Sequence, residues 1–349
     1  MSKPALPCRF PWLRFSLRNL LIVVAVVGIG SGWLGALVQR ARLQRATVAK
    51  VEGLGGEVRY TIAGQESDTT ASRMPRLHEY SWARRLLGDD FFDSVTEVNL
   101  GGTAVTDADM QLFDHLPEVE VISLQGTAVG DRGVRHLCHL KHLRNLDLWH
   151  SQIGDEGLAS LKLIRSLEHL AAGQSRITDA GLVHLSGMTQ LKYLGLRGNN
   201  VTNSGLVHLR GLINLEGIYL GESQVTGAGL VHLSAMRKLS YPRLDHLAIS
   251  DDDLRHLAHL KQLTSLPLSY TQVTDAGLVH LQKLPNLRKL NLDGTLVTDD
   301  GLDNLAKIGT LTDVVLDDTR VTGPGIARLM ESLPNCRVKV VAREPNVSK

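Results

Sequence analysis

Six histidines recur at multiples of 24 residues, and imidazole is a side chain that can bind a metal or transfer a proton. They are His136, His184, His208, His232, His256 and His280. If residues at this spacing stack on one another, neighbouring imidazoles could form a metal-binding column. Each histidine, however, directly precedes a leucine, where any polar residue would serve, and Ser160, Asn304 and Arg328 stand at the same place in other units. We therefore interpret the column as a solvated face.

A local cluster also has metal-binding residue types, because His136, Cys138, His139 and His142 lie close together in the chain. The leucines between them are expected to be buried, so the three imidazoles share one helical edge. A zinc site usually takes its ligands from more than one turn of the chain, with tighter geometry. We therefore interpret this cluster as exposed surface and predict no metal site.

The sequence lacks recognisable catalytic motifs. Runs of aspartate at 251–253, 299–300 and 317–318 fall mostly at turns and lack the spacing of a calcium-binding loop. There is no nucleophile elbow, no phosphate-binding glycine loop and no pair of carboxylates with a partner base. The sequence therefore predicts that the protein is not an enzyme and needs no cofactor.

The elements that would position any site come from a strict repeat. A hydrophobic residue followed by a Thr-Asp-type turn recurs every 24 residues, without insertion or deletion, at Val105, Val129, Ile153, Ile177, Val201, Val225, Ile249, Val273, Val297 and Val321. A fixed period of this size indicates a solenoid. Within one unit, Leu194 and Leu196 alternate as in a strand, and residues 206–212 carry leucine at every third position, as one helix face does. Each unit is thus predicted to be a strand, a turn and a short helix.

The turns carry residues that favour the start of a helix. Threonine stands where an N-cap is wanted at Thr178, Thr202, Thr274 and Thr298. Asp179, Asp275 and Asp299 follow in the first turn, where a negative charge suits the helix dipole. Glycine fills one position near the helix start, at Gly157, Gly181, Gly205, Gly229, Gly277, Gly301 and Gly325. We expect that a side chain there would push the helix away from the neighbouring coil.

The unit resembles the leucine-rich repeat family, whose signature is L-x-x-L-x-L-x-x-N/C-x-L, over residues 95 to about 340. Thr or Ser usually replaces the Asn or Cys of the signature, and only Asn199 keeps the Asn; a hydroxyl can also satisfy backbone groups of the loop. The likeness is to a helix-bearing subclass with 24-residue units. It implies an α/β solenoid shaped as a horseshoe of about ten units, with a concave parallel β-sheet and helices outside.

Aromatic and arginine residues gather at positions that the resemblance places on the concave face, although the chain is only 4% aromatic. Such side chains anchor many protein interfaces, but they could also be ordinary exposed residues in a shallow groove. The candidate partner-binding residues are Trp149, His150, His169, Tyr193, Arg197, Tyr219, Glu222, Tyr241, Arg243, His246 and Tyr270. Pro242 and Pro267, which are unusual in interior strands, predict a local break beside this patch that either shapes a site or is mere drift.

Before the repeats lies an uncharged, mostly apolar run, residues 19–39. At about 1.5 Å per residue it is long enough to cross a bilayer. A cleaved signal peptide is the alternative, but the run is long for one and its cleavage site would be weak. Gly28, Gly32 and Ala36 form a small-residue series that could pack two such helices together, although small residues are common in membrane helices.

The membrane orientation cannot be read from charge, because basic residues stand on both sides of the run. The opening Arg14-Phe15-Ser16-Leu17-Arg18 resembles that of bacterial membrane-anchored leucine-rich repeat proteins. That likeness implies a cytoplasmic N-terminus and an extracytoplasmic repeat domain. The predicted organisation is a basic segment (1–18), a transmembrane helix (19–39), a juxtamembrane segment and N-terminal cap (40–94), ten repeats (95–334), and a cap strand and tail (335–349).

Charge is distributed unevenly along the chain. Residues 1–50 hold eight of the 38 Lys and Arg and none of the 36 Asp and Glu, so the remainder is acidic overall. This argues against nucleic-acid binding by the repeats, which would need a basic stripe. The three cysteines, Cys8, Cys138 and Cys336, lie too far apart to indicate a disulfide framework.

The sequence therefore predicts a single-pass membrane protein, without enzymatic activity, that recognises a protein, peptide or glycan through its concave face. One alternative is a membrane scaffold that self-associates through its transmembrane helix into a homo-oligomer. A further alternative, a substrate adaptor resembling F-box leucine-rich repeat proteins, would need a helical module ahead of the repeats, and residues 40–94 look too short and irregular for it.

Overall fold

The structure, a computed structural model, describes residues 17–61 and 93–340. The side chains of residues 17–31, 34 and 61 lie outside this description, as do residues 62–92 of the predicted juxtamembrane segment and N-terminal cap. The described residues fall into two compact units. One contains residues 17–46 and 93, where the Gln44 side chain donates a 2.9 Å hydrogen bond to the Asp93 carbonyl; the other contains residues 47–61 and 94–340.

The N-terminal helix, α1, runs without interruption over Leu17–Gly53. It joins the predicted apolar run to the basic segment that follows it. Among the described residues, no helix is long and apolar enough to span a bilayer. Of the small residues predicted to pack two helices together, Gly28 lies outside the described side chains, Gly32 has open space around it, and Ala36 is exposed.

Twelve short strands lie among the described residues, and all but the first recur with the period of the repeat. They are β1 (Glu57–Thr61), β2 (Ser94–Asn99), β3 (Val121–Ser123), β4 (Asn145–Asp147), β5 (His169–Ala171), β6 (Tyr193–Gly195), β7 (Gly217–Tyr219), β8 (Tyr241–Arg243), β9 (Ser265–Pro267), β10 (Lys289–Asn291), β11 (Asp313–Val315) and β12 (Arg337–Lys339). Strands β1 to β8 form one sheet in chain order, and β9 to β12 form a second. Only β1, where it pairs with β2, is antiparallel among these described strands.

A short helical segment follows each strand of the repeats from β2 to β11. The segments are Asp107–His115, Asp131–Val134 with Arg135–Leu137, Asp155–Leu161, Asp179–Leu182 with Val183–Leu185, Asn203–Leu206 with Val207–Leu209, Gly227–Leu233, Asp251–His259, Leu278–Leu281, Asp299–Leu305 and Gly323–Ser332. The sequence predicts short helices, and the structure makes several of them wholly or partly 3₁₀. Leucine at every third position suits that geometry, because a 3₁₀-helix has three residues per turn.

The core is a continuous stack of leucine, isoleucine and valine columns along the repeats. The central residue of each strand from β3 to β11, such as Leu194, is buried, and so are the helical Leu206 and Leu209. At the signature position the threonine hydroxyls satisfy backbone groups as predicted; Thr127 Oγ1 donates to the Leu124 carbonyl at 2.7 Å, for example. Asn199 donates to two carbonyls and accepts from two backbone N–H groups. The predicted solenoid with a parallel sheet is therefore confirmed.

In most units an aspartate directly follows the N-cap residue of the helical segment and bonds to the next unit. Asp179 accepts hydrogen bonds from both the backbone N–H and the hydroxyl of Thr202, at 2.8 and 2.5 Å. The same arrangement links Asp155 to Thr178, Asp251 to Thr274, Asp275 to Thr298 and Asp299 to Thr322. This carboxylate also explains the glycine column, since a Cβ at Gly205 would overlap Asp179. The predicted crowding thus comes from a side chain that ties adjacent units together.

This inter-unit bond is replaced by a bond within the unit at two places. Gly227 stands where most units have aspartate or asparagine. The Asp253 side chain occupies the space that a side chain at position 227 would fill. Asp253 then caps Ser250 of its own unit, accepting from its N–H at 2.8 Å and its hydroxyl at 2.6 Å. In the first unit, where no earlier repeat supplies an acid, Asp109 caps Thr106 in the same way. Whether a unit has glycine or aspartate three residues after its N-cap therefore depends on whether the preceding unit provides the side chain that bonds to that N-cap.

The sheet is interrupted between β8 and β9, where the sequence predicts a break. Pro242 and Pro267 are the central residue of β8 and the last residue of β9, and proline has no N–H to donate to a ladder. The strands stay adjacent through flanking bonds, such as Leu244 N–H to the Pro267 carbonyl at 3.3 Å and His246 N–H to the Ser269 carbonyl at 2.9 Å. The interruption therefore removes ladder bonds without separating the two repeats.

Candidate functional site

The candidate partner-binding residues lie on one surface. We call it the strand face: the outward-pointing residues of β3 to β11 and the turns directly after these strands, on the side of the sheet away from the buried central residues. His169, Tyr193, Tyr219, Tyr241 and Arg243 lie on the strands themselves, Trp149 and Arg197 lie two residues after β4 and β6, and His150, Glu222, His246 and Tyr270 lie in the following turns. The structure thus brings together residues that are up to 121 positions apart in the sequence.

The turn after each strand contains a residue in the left-handed region of backbone conformation. Some units use glycine there, such as Gly126 at φ +67°. Six use other residues with φ between +52° and +60°: His150, Gln174, Glu222, His246, Tyr270 and Asp318. This conformation costs an ordinary residue about 1 kcal/mol or more. Side chains are thus held at strained positions along the middle of the strand face.

Exchanging residues between two of these turns should show the cost directly. His150→Gly should raise the free energy of unfolding by about 0.5–1 kcal/mol, and Gly126→His should lower it by about 1 kcal/mol, because only glycine adopts this φ freely. The Gly126 site is otherwise open, since an added Cβ would meet only one atom, at 4.0 Å. Chemical denaturation of the two variants would measure both effects. Two unchanged stabilities would mean that the turns are not strained.

Charged residues of the strand face pair with one another. Arg197 forms a 2.5 Å ion pair with Glu222 and a longer one, 3.9 Å, with Asp245; Arg243 contacts Asp245 at 3.3 Å. Gln174 donates to the other oxygen of Glu222 at 3.0 Å. The hydrogen bond from Arg197 holds the pKa of Glu222 below its usual range. Two arginines are therefore largely neutralised by two acids, one of which, Asp245, is buried.

Aromatic rings from neighbouring units contact each other across the strand face. His169 stacks on Tyr193 and His246 on Tyr270, each pair with ring centroids 4.7 Å apart, and Tyr219 meets Tyr241 edge to face at 5.9 Å. Burial lowers the pKa of His169 and raises the pKa of Tyr219. The rings of neighbouring units therefore support one another across the strand face.

Cavities open on the strand face in three adjoining places. One of about 440 Å³ lies at the interruption between β8 and β9, and its lining includes Arg243, Pro267 and Tyr270. Its acid Asp293 has a pKa raised by burial and by Asp317 and Asp318. Two smaller cavities, each about 270 Å³, lie over β4 to β7. The proline-related break thus coincides with the largest of the three.

Sequence reasoning missed several residues of this surface. Asp147 and the small residues Ala171 and Gly195 line both smaller cavities, and Asp245 holds the two arginines. The candidate residues were predicted mainly from aromatic and arginine side chains, so these small and acidic residues were not among them. The register would have found Asp147, because it stands between two anchor leucines just as the Tyr219 position does.

The histidines of the helical side have ordinary surface partners. His136 and His139 each lie 4.0 Å from Asp114, and His142 lies 3.6 Å from Glu118. Arg210 donates to His232 at 2.9 Å, and burial together with this arginine lowers the pKa of His232. Within the part of the chain that the structure describes, no three His, Cys, Asp or Glu side chains converge as metal ligands would.

Comparison with known proteins agrees with the fold. A family model described as Leucine Rich repeat matches residues 139–162, one period of the chain. Two internalins of Listeria monocytogenes are similar in structure: inlF has 17% identity, covering 72% of this chain and 87% of its own, and internalin C2 has 24%, covering 68% and 85%, both with a TM-score of 0.46. The ectodomain of the Arabidopsis receptor kinase HAESA, in complex with an extended IDA peptide hormone, has 17% identity and a TM-score of 0.51, with 65% of this chain and 39% of that one covered. No curated protein sequence matches.

The match to one leucine-rich repeat agrees with the period and with the structure. The matched segment is one unit of a pattern that recurs ten times in phase. The described strands follow the same 24-residue register from β2 to β12. One unit of the chain thus matches the leucine-rich repeat model, and the repeats have the leucine-rich repeat fold.

Proposed function

We propose that this protein recognises a peptide or protein partner through the strand face of its repeats. The observation that carries the proposal is the gathering of Trp149, Tyr193, Tyr219 and Tyr241 on one surface of a chain that is only 4% aromatic. Aromatic anchors around cavities are the features on which most protein interfaces depend for their binding energy. The helical side, by contrast, exposes single valines such as Val183 and Val207.

Two further observations support a binding role. The rings are held by stacking and the arginines by ion pairs, so binding would not have to order them; this lowers the entropic cost of association. Leucine-rich repeats with the same fold can hold a peptide, as the HAESA ectodomain does with its hormone. The proposed role is recognition without catalysis.

We propose in addition that residues 19–39 anchor the protein in a membrane, with a cytoplasmic N-terminus and extracytoplasmic repeats. The run contains no Asp, Glu, Lys or Arg, and it lies within the continuous helix α1. Alkaline phosphatase, which is active only outside the cytoplasm, should be active when fused after residue 349 and inactive when residues 19–39 are deleted. An inactive full-length fusion would contradict the orientation, and extraction of the chain at alkaline pH would contradict the anchor.

Photo-crosslinking tests the recognition surface. A benzophenone amino acid would replace Tyr193 or Tyr219 on the strand face and, as the matched control, the exposed Val207 on the helical side. Captured proteins would be identified by mass spectrometry. We expect the same partner from both tyrosine positions and not from Val207. Capture from Val207 alone, or equal capture at all three positions, would refute the proposal.

A further inference from the structure

The two smaller cavities of the strand face form one receptacle. They share four lining residues, Asp147, Ala171, Gly195 and Tyr219. The floor has small side chains, because the last outward-pointing residues of β5 and β6 are Ala171 and Gly195. Each cavity encloses about 270 Å³, which together accommodate one long side chain. We call this receptacle the β4–β7 box.

Aromatic rings form the walls of the β4–β7 box. Trp149 lines one cavity, the stacked pair His169 and Tyr193 lines the other, and Tyr219 borders both. The rings are fixed by the glycines beneath them: a Cβ at Gly217 would lie 2.6 Å from the Tyr193 ring, and one at Gly173 would overlap Trp149. Glycine at these positions thus leaves the rings room to lie across the next strand.

The lining of the β4–β7 box holds two acids, Asp147 and Asp245, and two arginines, Arg197 and Arg243. Asp245 pairs with the arginines, whereas Asp147 forms no ion pair with another described residue. Asp147 uses one carboxylate oxygen to accept the Trp149 N–H at 2.9 Å, and no other described residue hydrogen-bonds to it. Glu216 lies 3.4 Å from the Tyr193 hydroxyl. The arginines at the far rim, Arg197 and Arg243, are paired with Glu222 and Asp245. No lysine is found among the described residues that line either cavity.

Aromatic faces beside a carboxylate are the surroundings that attract an organic cation, because the ring face is electronegative. The protein itself places a cation against one of these rings: the Arg243 guanidinium carbon lies 5.8 Å from the centroid of the Tyr219 ring. An anionic group would instead meet Asp147, and the two arginines of the lining, Arg197 and Arg243, are already paired with Glu222 and Asp245.

We infer that the β4–β7 box receives a basic side chain, arginine or lysine, of the peptide or protein partner. The inference rests on the proposed function and names the chemistry of its ligand. Asp147 would pair with the cation, and Trp149, Tyr193 and Tyr219 would surround its alkyl stem and charged head. The acidic balance of the chain after residue 50 favours the approach of such a partner.

Selection from a random heptapeptide library tests the inference. The full-length protein would be compared with Asp147→Asn, which keeps an oxygen for the Trp149 N–H, and with Asp313→Asn, which alters an acid in the largest cavity instead. We expect one position of the selected peptides to be enriched in Arg or Lys for the wild type and for Asp313→Asn. The enrichment should disappear for Asp147→Asn.

A charge-removal cycle then separates pairing from structure. Replacing the selected Arg by citrulline, or Lys by acetyl-lysine, should weaken binding to the wild type about tenfold or more and leave binding to Asp147→Asn nearly unchanged. An equal loss in both proteins would overturn the inference. Peptides that crosslink at position 219 without any basic preference would overturn it and leave the proposed function standing. Peptides that fail to crosslink on the strand face would refute both.

Discussion

Replacing Gly227 with Asp should lower the free energy of unfolding by about 2–3 kcal/mol, and a second substitution, Asp253→Gly, should restore most of it. The new carboxylate would occupy the space that Asp253 fills, so one acid must leave its hydrogen bonds to Ser250. Losing charge-assisted bonds at a helix start costs about 1–2 kcal/mol, and the proximity of two carboxylates adds to that cost.

The double variant, Gly227→Asp with Asp253→Gly, would replace the capping bond within the unit by the inter-unit bond found in most other units. The introduced aspartate would accept from Ser250 across the units, as Asp179 does from Thr202, and the introduced glycine would leave room for it. Chemical denaturation of the wild type, both single variants and the double variant gives the coupling energy. Gly187→Asp is the matched control, because that glycine is exposed with nothing within 4 Å. Additive effects of the two substitutions would contradict the proposed replacement of one acid by the other.

Replacing Tyr219 with Ala should weaken binding of the captured partner by about 30-fold or more, which corresponds to the roughly 2 kcal/mol typical of an interface hot spot. Tyr219 borders both smaller cavities and contacts Tyr241 and Arg243. Val207→Ala removes an exposed apolar side chain from the helical side and should leave affinity within about twofold. Isothermal titration with the purified partner would measure both, and equal affinities for the two variants would refute a central role for Tyr219.

The repeat architecture could be predicted because the same pattern of apolar and capping residues recurs in each unit. The period locates the strands, the buried leucines and the capping threonines, and the structure confirms them at Leu194, Leu209 and Thr202. Bonds between units were harder to predict. Asp179 stands in the first turn of a helix, where the dipole alone accounts for it, and its partner Thr202 is found only once the units are stacked in register.

One pattern in the sequence would have revealed the inter-unit bond. Aspartate three residues after the capping position appears at Asp109 and Asp253, where the preceding unit supplies neither Asp nor Asn, and glycine stands there in the other units. This complementarity links positions in neighbouring units and implies contact between them. The continuity of α1 over Leu17–Gly53 has no comparable signal, because an apolar run and a basic amphipathic segment look like separate elements.

The candidate site was predicted in position and only partly in composition. Alternation along a strand places Tyr193 and Tyr219 outward, but cavities depend on side chains that are small, such as Ala171 and Gly195. The residue types of the aromatic rings indicate a binding surface, whereas alanine and glycine in the floor between the rings give no such indication. Left-handed turns were likewise unpredicted, because residues such as Glu222 and Tyr270 rarely adopt them.

Hydroxyl-radical footprinting of the wild-type protein, alone and with its captured partner, tests most directly whether the strand face is the recognition surface. Readily oxidised residues lie on both sides of the repeats, with Trp149, Tyr193 and Tyr219 on the strand face and His184 and His208 on the helical side. We predict that the partner slows oxidation of the three aromatic residues and leaves both histidines unchanged. Protection of the histidines with no change at Trp149, Tyr193 and Tyr219 would contradict the account.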